Sequence, residues 1–235
     1  MMTDIFSSFD PATSSLHTSA SPIMFWALSS MSLTILSSSL WLTPNRLNWL
    51  LSFPLSIMSS QIKQTFSVKI KGFPYIITSL FITLIMLNLM GLIPYIFSST
   101  SHLILTLSFG LPCWLSLIIS GATANPKPFI AHLLPSGAPQ WLAPPLIIIE
   151  TISTLVRFFT LSVRLMANMS AGHILLGLMG IYATSALFSS MTSTVTLLTI
   201  QSFYTIFEVA ICFIQAYIFC LLLSLYSDDH PSSNM

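Results

Sequence analysis

Residues 146–181 read LIIIETISTLVRFFTLSVRLMANMSAGHILLGLMGI and form a long apolar stretch. It exceeds the roughly 20 residues that an α-helix needs to cross a hydrocarbon layer about 30 Å thick. The stretch nevertheless carries Arg164, and 43 residues then pass before the next formally charged residue, Glu208. A charge at mid-membrane depth costs from ~2.5 to well over 10 kcal/mol. The sequence therefore predicts a membrane helix in which some interaction offsets the cost of Arg164.

The composition of the whole chain is that of a membrane protein. Of its 235 residues, 54% are hydrophobic and only 6% are charged, and the mean hydropathy is +0.87. A soluble domain carries about 25% charged residues. The net charge of +1 and the lack of a basic cluster argue against nucleic-acid binding. The three cysteines lie in apolar runs without CxxC spacing, so neither a disulfide framework nor a metal site is expected.

The apolar runs predict a single membrane domain over residues 1–235. Residues 22–42 form the first transmembrane helix, and a transmembrane hairpin over 73–122 is divided by the polar turn SSTSH at 98–102. The last two apolar segments, within 146–226, are too long for perpendicular spans. They must tilt strongly, bend or lie partly along the membrane plane, and of these a long, strongly tilted hairpin is the expected arrangement.

Two further segments complete the predicted fold. Residues 45–71 hold four of the seven basic residues and no acidic one, with apolar residues between them. This pattern is typical of an amphipathic helix in the membrane interface, and Pro54 is expected to bend or break it. Residues 125–145 contain six prolines and predict a loop. The fold class is therefore an all-α polytopic membrane protein with about five apolar helices and one interfacial helix.

Ionisable residues at depth lie only in the last two apolar segments, and amide residues follow the same helical spacing there. The ionisable ones are Glu150, Arg157, Arg164, His173 and Glu208. The first three of these follow one another at intervals of seven residues, so they share one side of a helix. Asn168 follows Arg164 by one turn. A second stripe on the final helix joins Gln201, Glu208 and Gln215. His173 is nine residues after Arg164 and falls on roughly the opposite face.

Two interpretations of these stripes are open from residue types alone. The first is a buried ion-pair network, with Arg164 paired to Glu208 and Glu150 paired to Arg157. The second is an ion or proton pathway, because carboxylates and imidazole exchange protons whereas arginine remains a fixed cation. A transporter working alone and a purely structural subunit are the alternative functions. The sequence contains no Gly-rich phosphate loop, HExxH motif or nucleophile elbow.

The stretch LSVRLMANMSAGHILLGLMG at 161–180 resembles the signature of the subunit a family of rotary ATP synthases, in its mitochondrial form. The similarity continues along the chain in the order expected for that family. It includes MMTDIFSSFDP at the start, NLMGLIPYIFSSTSHL at 88–103, AHLLPSGAP at 131–139, IIIETIS at 147–153 and EVAICFIQAYIF at 208–219. Met166 in place of a common threonine, and RFF at 157–159 in place of a proline-containing sequence, are departures. The second leaves the role of Arg157 open.

The resemblance implies a role for each matching polar residue. Arg164 would be the essential charge that faces the carboxylates of a rotating c-ring. His173 and Glu208 match a half-channel open to the intermembrane space, whereas Glu150 and Asp229 match the matrix half-channel. The remaining matches are Asn168 and Gln215 beside the arginine, Tyr217 in the same IQAY motif, and Asp228 as a competitor of Asp229.

The resemblance also implies the function and surroundings of the chain. It would be a proton-translocating stator subunit of the mitochondrial inner membrane, coupling proton flow to ATP synthesis. It would be non-catalytic, with no ATP site, cofactor or metal of its own. The implied partners are the c-ring, the peripheral stalk, other membrane subunits and lipids, without nucleic acid. The transported ion would be the proton, although residue types alone also permit Na⁺.

Overall fold

The computed structural model describes residues 46–93, 96–134 and 140–228, together with Phe9 and positions 23, 27, 30 and 31. These ranges contain α-helices and no strand. The helices are α1 (Arg46–Gln64), α2 (Phe73–Leu92), α3 (Leu103–Ala124), α4 (Pro126–His132), α5 (Ala143–Ala186) and α6 (Met191–Asp228). Short 3-10 helices lie at Phe66–Lys69, Ser99–Ser101 and Gln140–Leu142.

Four helices, α2, α3, α5 and α6, are long and apolar enough to cross a membrane. This confirms the predicted all-α polytopic fold. The first predicted span, 22–42, lies outside the described residues except at four isolated positions. With 44 and 38 residues, α5 and α6 extend ~66 Å and ~57 Å at 1.5 Å per residue, about twice the hydrocarbon thickness. The tilt of these two helices stays a prediction.

One expectation about proline is wrong, and a second is wrong in part, since only a break at Pro54 is excluded. The segment 125–145, predicted as a loop, contains α4 and the start of α5. Pro126 and Pro128 lie in the first turn of α4, where a missing amide hydrogen breaks no helical hydrogen bond. Pro54 lies inside α1, which continues on both sides of it, so this proline does not break the helix.

Serine and threonine hydroxyls inside the apolar helices donate hydrogen bonds to carbonyl oxygens of the preceding turn. In α5, Thr154 Oγ1 donates to the Thr151 carbonyl at 2.9 Å, and Ser162 Oγ donates to the Phe158 carbonyl at 3.1 Å. The same bond recurs in α6 at Thr196, Thr199, Ser202 and Thr205. Because hydrocarbon offers no hydrogen-bond partner, these bonds make a hydroxyl-rich helix compatible with lipid.

The chain divides into two compact units. Unit 1 comprises the described residues within Met1–Ser52, Ile82–His102 and Leu165–Ala216. Its buried side chains include Leu84, Leu87, Leu165, Met169, Cys212 and Ala216. The 3-10 helix Ser99–Ser101, at the predicted polar turn, is also buried there.

Unit 2 comprises the described residues within Phe53–Phe81, Leu103–Arg164 and Tyr217–Met235. Its buried side chains include Met58, Ile77, Trp114, Leu161, Phe219 and Leu223. Since Met58 belongs to α1, this predicted interfacial helix buries part of one face in protein. The prediction of one domain over 1–235 stays a prediction.

Close packing of α3 against α5 fixes the position of α5 in unit 2. The rings of Trp114 and Phe158 lie 4.7 Å apart between centroids. A Cβ at Gly110 would lie 2.7 Å from Ser162 Oγ, closer than van der Waals contact permits. Gly110 therefore allows the two helices to approach.

We expect Gly110→Ala to lower the free energy of unfolding in detergent micelles by ~1–3 kcal/mol, because the added methyl overpacks the α3–α5 contact. Gly180→Ala is the matched control, since no atom lies within 4 Å of a Cβ there. Alanine at that position is expected to be neutral or to stabilise α5 by up to ~1 kcal/mol. Equal unfolding free energies for the two variants would contradict this account.

Candidate functional site in α5 and α6

Arg164 lies on α5 with an exposed side chain. The residues beside it on the same side of the helix are short and also exposed: Thr160, Ala167 and Ala171. Short side chains leave room for another helix to approach closely. Within the part of the chain that the structure describes, no ion pair involves Arg164. The guanidinium is therefore presented on a surface with space around it.

Asn168 and Gln215 form a hydrogen bond between α5 and α6 in unit 1. Asn168 Nδ2 donates to Gln215 Oε1 at 2.9 Å, and Gln215 is buried. Since Asn168 follows Arg164 by one turn, the bond lies close along α5 to the arginine. The sequence predicts both residues as neighbours of Arg164, and the structure brings these two together.

The Glu208 carboxyl group is buried against the backbone of α5. Only 2% of the residue is exposed, and a Cβ at Gly172 would overlap the carboxylate. Neither carboxylate oxygen has a hydrogen-bond partner among the described residues. Among the described residues, Glu208 is therefore not paired with Arg164, and the interpretation that pairs these two residues is wrong there. An isolated buried carboxylate is costly, so it requires water, a proton or another partner.

His173 follows Gly172 directly and is half-buried in unit 1. Its ring packs edge-on against Phe9 with centroids 6.3 Å apart. Nε2 is buried and has no hydrogen-bond partner among the described residues. The imidazole therefore has a hydrogen-bonding capacity that no described residue meets at Nε2, as the Glu208 carboxylate has at both oxygens.

Asn88 on α2 is a residue that sequence reasoning missed. Its side chain is 0% exposed, and neither its amide nitrogen nor its amide oxygen has a hydrogen-bond partner among the described residues. The Asn88 carbonyl oxygen lies 4.0 Å from the sulfur of Cys212, which follows Glu208 by one turn of α6. The signal was present as a single amide in the apolar run LIMLNLMGLI. No second amide or charged residue accompanies it at helical spacing in α2, so periodicity does not single it out.

Unit 1 therefore holds several buried polar groups that have no hydrogen-bond partner among the described residues. We call them the polar set, and its members are Asn88, Thr100, His173 and Glu208. They come from α2, the 3-10 helix after it, α5 and α6. Buried polar atoms in native proteins are normally hydrogen-bonded to protein or ordered water. The concentration of exceptions in one unit indicates a place that water can occupy.

The other two charged residues of α5 form an ion pair in unit 2. Arg157 Nη2 lies 3.5 Å from Glu150 Oε1, and each side chain is 38% exposed. The guanidinium carbon of Arg157 lies 5.6 Å from the centre of the Tyr226 ring on α6. The Glu150–Arg157 pairing was one of the alternatives left open by the sequence, and the structure confirms that contact.

The remaining predicted residues are placed only in part. Tyr217 is half-buried on α6, and Asp228 is half-buried as the last residue of that helix. Asp229 lies outside the described residues. No group of three or more His, Cys, Asp or Glu residues that could hold a metal ion occurs within the described ranges.

Comparison with known proteins decides the family. A profile of the ATP synthase A chain matches residues 18–228. The chain belongs to the ATP synthase A chain family. Members of this family are membrane-embedded components of the F0 part of ATP synthase and work together with its other subunits. This protein is accordingly a multi-pass membrane protein that takes part in proton transport and ATP synthesis.

Insect proteins of the family are similar to this protein over nearly its whole length. The ATP synthase F(0) complex subunit a of Rhopalosiphum padi is 36% identical over 230 residues, which is 97% of this chain and 100% of that protein. The ATP synthase subunit a of Locusta migratoria is 39% identical over 232 residues, covering 97% and 99%. That of Drosophila simulans is 40% identical over 233 residues with the same coverage.

The Gly172–Glu208 contact can be tested by a double-mutant cycle on unfolding. We expect Gly172→Ala to lower the free energy of unfolding by ~1–3 kcal/mol, since the methyl displaces the carboxylate. In a Glu208→Ala background the same change should cost little, because the overlapping group is gone. Gly177→Ala is the control, with no atom near its Cβ. A loss from Gly172→Ala that is equal in both backgrounds would refute the contact.

Proposed function

We propose that this protein is the stator subunit that passes protons to and from the carboxylates of a c-ring through two offset aqueous half-channels. The chain would do so in the mitochondrial inner membrane. The observation that carries the proposal is the exposed guanidinium of Arg164 in the middle of an apolar 44-residue helix. Such a charge needs a counter-charge, and a ring carboxylate would supply it from outside the chain.

The surroundings of Arg164 support a moving partner rather than a fixed one. Thr160, Ala167 and Ala171 are short and exposed, so they would allow a ring helix to approach Arg164 and to slide past. The Asn168–Gln215 hydrogen bond joins α5 and α6 one turn away. The guanidinium would stabilise each deprotonated ring carboxylate while it passes. Arginine does not release its proton, so it would also block a direct proton hop between the half-channels.

The polar set would form the half-channel open to the intermembrane space. Glu208 and His173 both exchange protons in suitable surroundings, and their buried atoms have no protein partner among the described residues. Asn88 and Thr100 would complete this path by holding water. A proton would move along this water to Glu208 and then to a ring carboxylate, which becomes neutral.

A neutral ring carboxyl group can face lipid at low cost, whereas a carboxylate cannot. After nearly one turn of the ring, the proton would leave through the second half-channel, on the matrix side. Glu150 would receive it there, with Asp229 or Asp228 further along. Each elementary charge that crosses 100 mV gains ~2.3 kcal/mol, so several protons must be coupled to each ATP made. Peripheral-stalk and other membrane subunits would keep this protein from turning with the ring.

Replacing Arg164 by alanine tests the proposal. We expect Arg164→Ala complexes to lose proton-driven ATP synthesis, because ring carboxylates would no longer be stabilised between the half-channels. Synthesis would be measured in reconstituted vesicles and expressed per assembled complex. Arg46→Ala, which removes an exposed arginine from α1, serves as the control and should retain synthesis.

Wild-type synthesis in the Arg164→Ala complex would overturn the assignment. Reconstitution with and without the c-ring separates the alternative functions. Proton conduction by this protein without the ring would instead indicate a channel or transporter that works alone. Normal coupling by the Arg164→Ala complex would indicate a structural subunit.

Replacing Asn88 by leucine tests the water path, and its effects on stability and on transport should be opposite. Leucine has a similar size and removes two unpartnered polar atoms, so the free energy of unfolding should rise by ~1–3 kcal/mol. Proton flux at a fixed driving force should fall several-fold, because water would lose a partner. Asn48→Leu in α1 is the control for flux. A flux equal to that of the wild type would remove Asn88 from the path.

A further inference from the structure

The Arg157 guanidinium lies between two groups in unit 2, the Glu150 carboxylate and the Tyr226 ring. The distances are 3.5 Å from Nη2 to Glu150 Oε1 and 5.6 Å from the guanidinium carbon to the ring centre. A cation within about 6 Å of an aromatic ring centre is attracted to the face of the ring. Arg157 is therefore held by one contact within α5 and by another from α6.

The backbone that carries Arg157 is itself firmly placed. The next residue, Phe158, packs on Trp114 of α3, and Ser162 lies against Gly110 one turn later. Glu150, two turns earlier, is about 10 Å away along the helix axis, so both side chains must extend toward each other. With its base and its tip both fixed, Arg157 sets the position of the Glu150 carboxylate.

We propose that Arg157 is a positioning residue for proton release at Glu150, and that Tyr226 keeps Arg157 in place while Glu150 changes charge. This inference rests on the proposed function, in which Glu150 receives protons from the ring. A proton leaves a ring carboxyl group and binds a Glu150 oxygen, so one carboxylate forms as another is neutralised. The proton then passes to water on the matrix side, which restores the Glu150 carboxylate.

The need for Tyr226 follows from the intermediate state. When Glu150 is neutral, the charge–charge attraction to Arg157 is lost, and a free guanidinium would turn toward other negative charges. A ring carboxylate is such a charge, since Arg157 and Arg164 are seven residues apart and share one side of α5. Holding a ring carboxylate at a second arginine would stall rotation. The tyrosine ring attracts the guanidinium in both states of Glu150 and thereby keeps it away from the ring.

The test uses the assembled complex in vesicles, with proton-driven ATP synthesis per complex as the readout. Arg157→Gln should lower the rate by about fivefold, the factor that corresponds to a half-exposed charge interaction of ~1 kcal/mol. Arg157→Lys should recover much of the rate, since an ammonium group can also pair with Glu150 and face the ring. Tyr226→Phe keeps the aromatic face and should be faster than Tyr226→Leu. Arg46→Gln is the control.

Two results would overturn the proposal. One is wild-type synthesis by both Arg157→Gln and Tyr226→Leu. The other is equal loss from Arg157→Gln and Arg157→Lys, or from Tyr226→Phe and Tyr226→Leu, because a merely structural role does not distinguish variants by charge or by aromaticity. Arg164→Ala in the same assay separates this inference from the proposed function. If that variant loses synthesis while Arg157→Gln keeps it, only the positioning role fails.

Discussion

A charged side chain in a low-dielectric layer must be paired, hydrated or neutralised, and this constraint organises the last two helices. The described residues meet it in three ways. Glu150 and Arg157 pair with each other in unit 2. Glu208 is buried in unit 1 without a partner among the described residues, and Arg164 is exposed on α5. Among the described residues only the first arrangement is complete, so the other two groups need a partner beyond these residues, such as water or another protein.

Stability and transport make opposite demands on the interior of unit 1. A core designed for stability alone would contain no polar atom without a partner, since each costs ~1–3 kcal/mol. Asn88, Thr100, His173 and Glu208 all break this rule. Their neighbours, Met169 and Cys212 among them, are packed in the ordinary way. Among the described residues, these departures fall on groups that the proposed proton path would use.

Periodicity and composition predicted the spans from 73 onward and the stripe of Glu150, Arg157, Arg164 and Asn168 on one side of α5, and they offered the Glu150–Arg157 contact as one of two interpretations. Each depends on spacing along one helix, which a sequence displays directly. The unpaired state of Glu208 was not predictable, because it depends on space that Gly172 provides on a different helix. The α4 helix was missed for a similar reason. A proline is tolerated or disruptive according to where its helix begins, and composition does not reveal that residue.

The hydroxyl hydrogen bonds within α5 and α6 also bear on how such a chain reaches its place in the bilayer. Thr154, Ser162 and Thr199 obtain their partners from their own helices, so a newly made helix of this kind can leave the insertion machinery before its neighbours arrive. Gln215 and Glu208 have no such local partner, because their contacts are to a different helix. Biogenesis would therefore proceed in two stages, with lipid insertion first and the meeting of α5 and α6 afterwards.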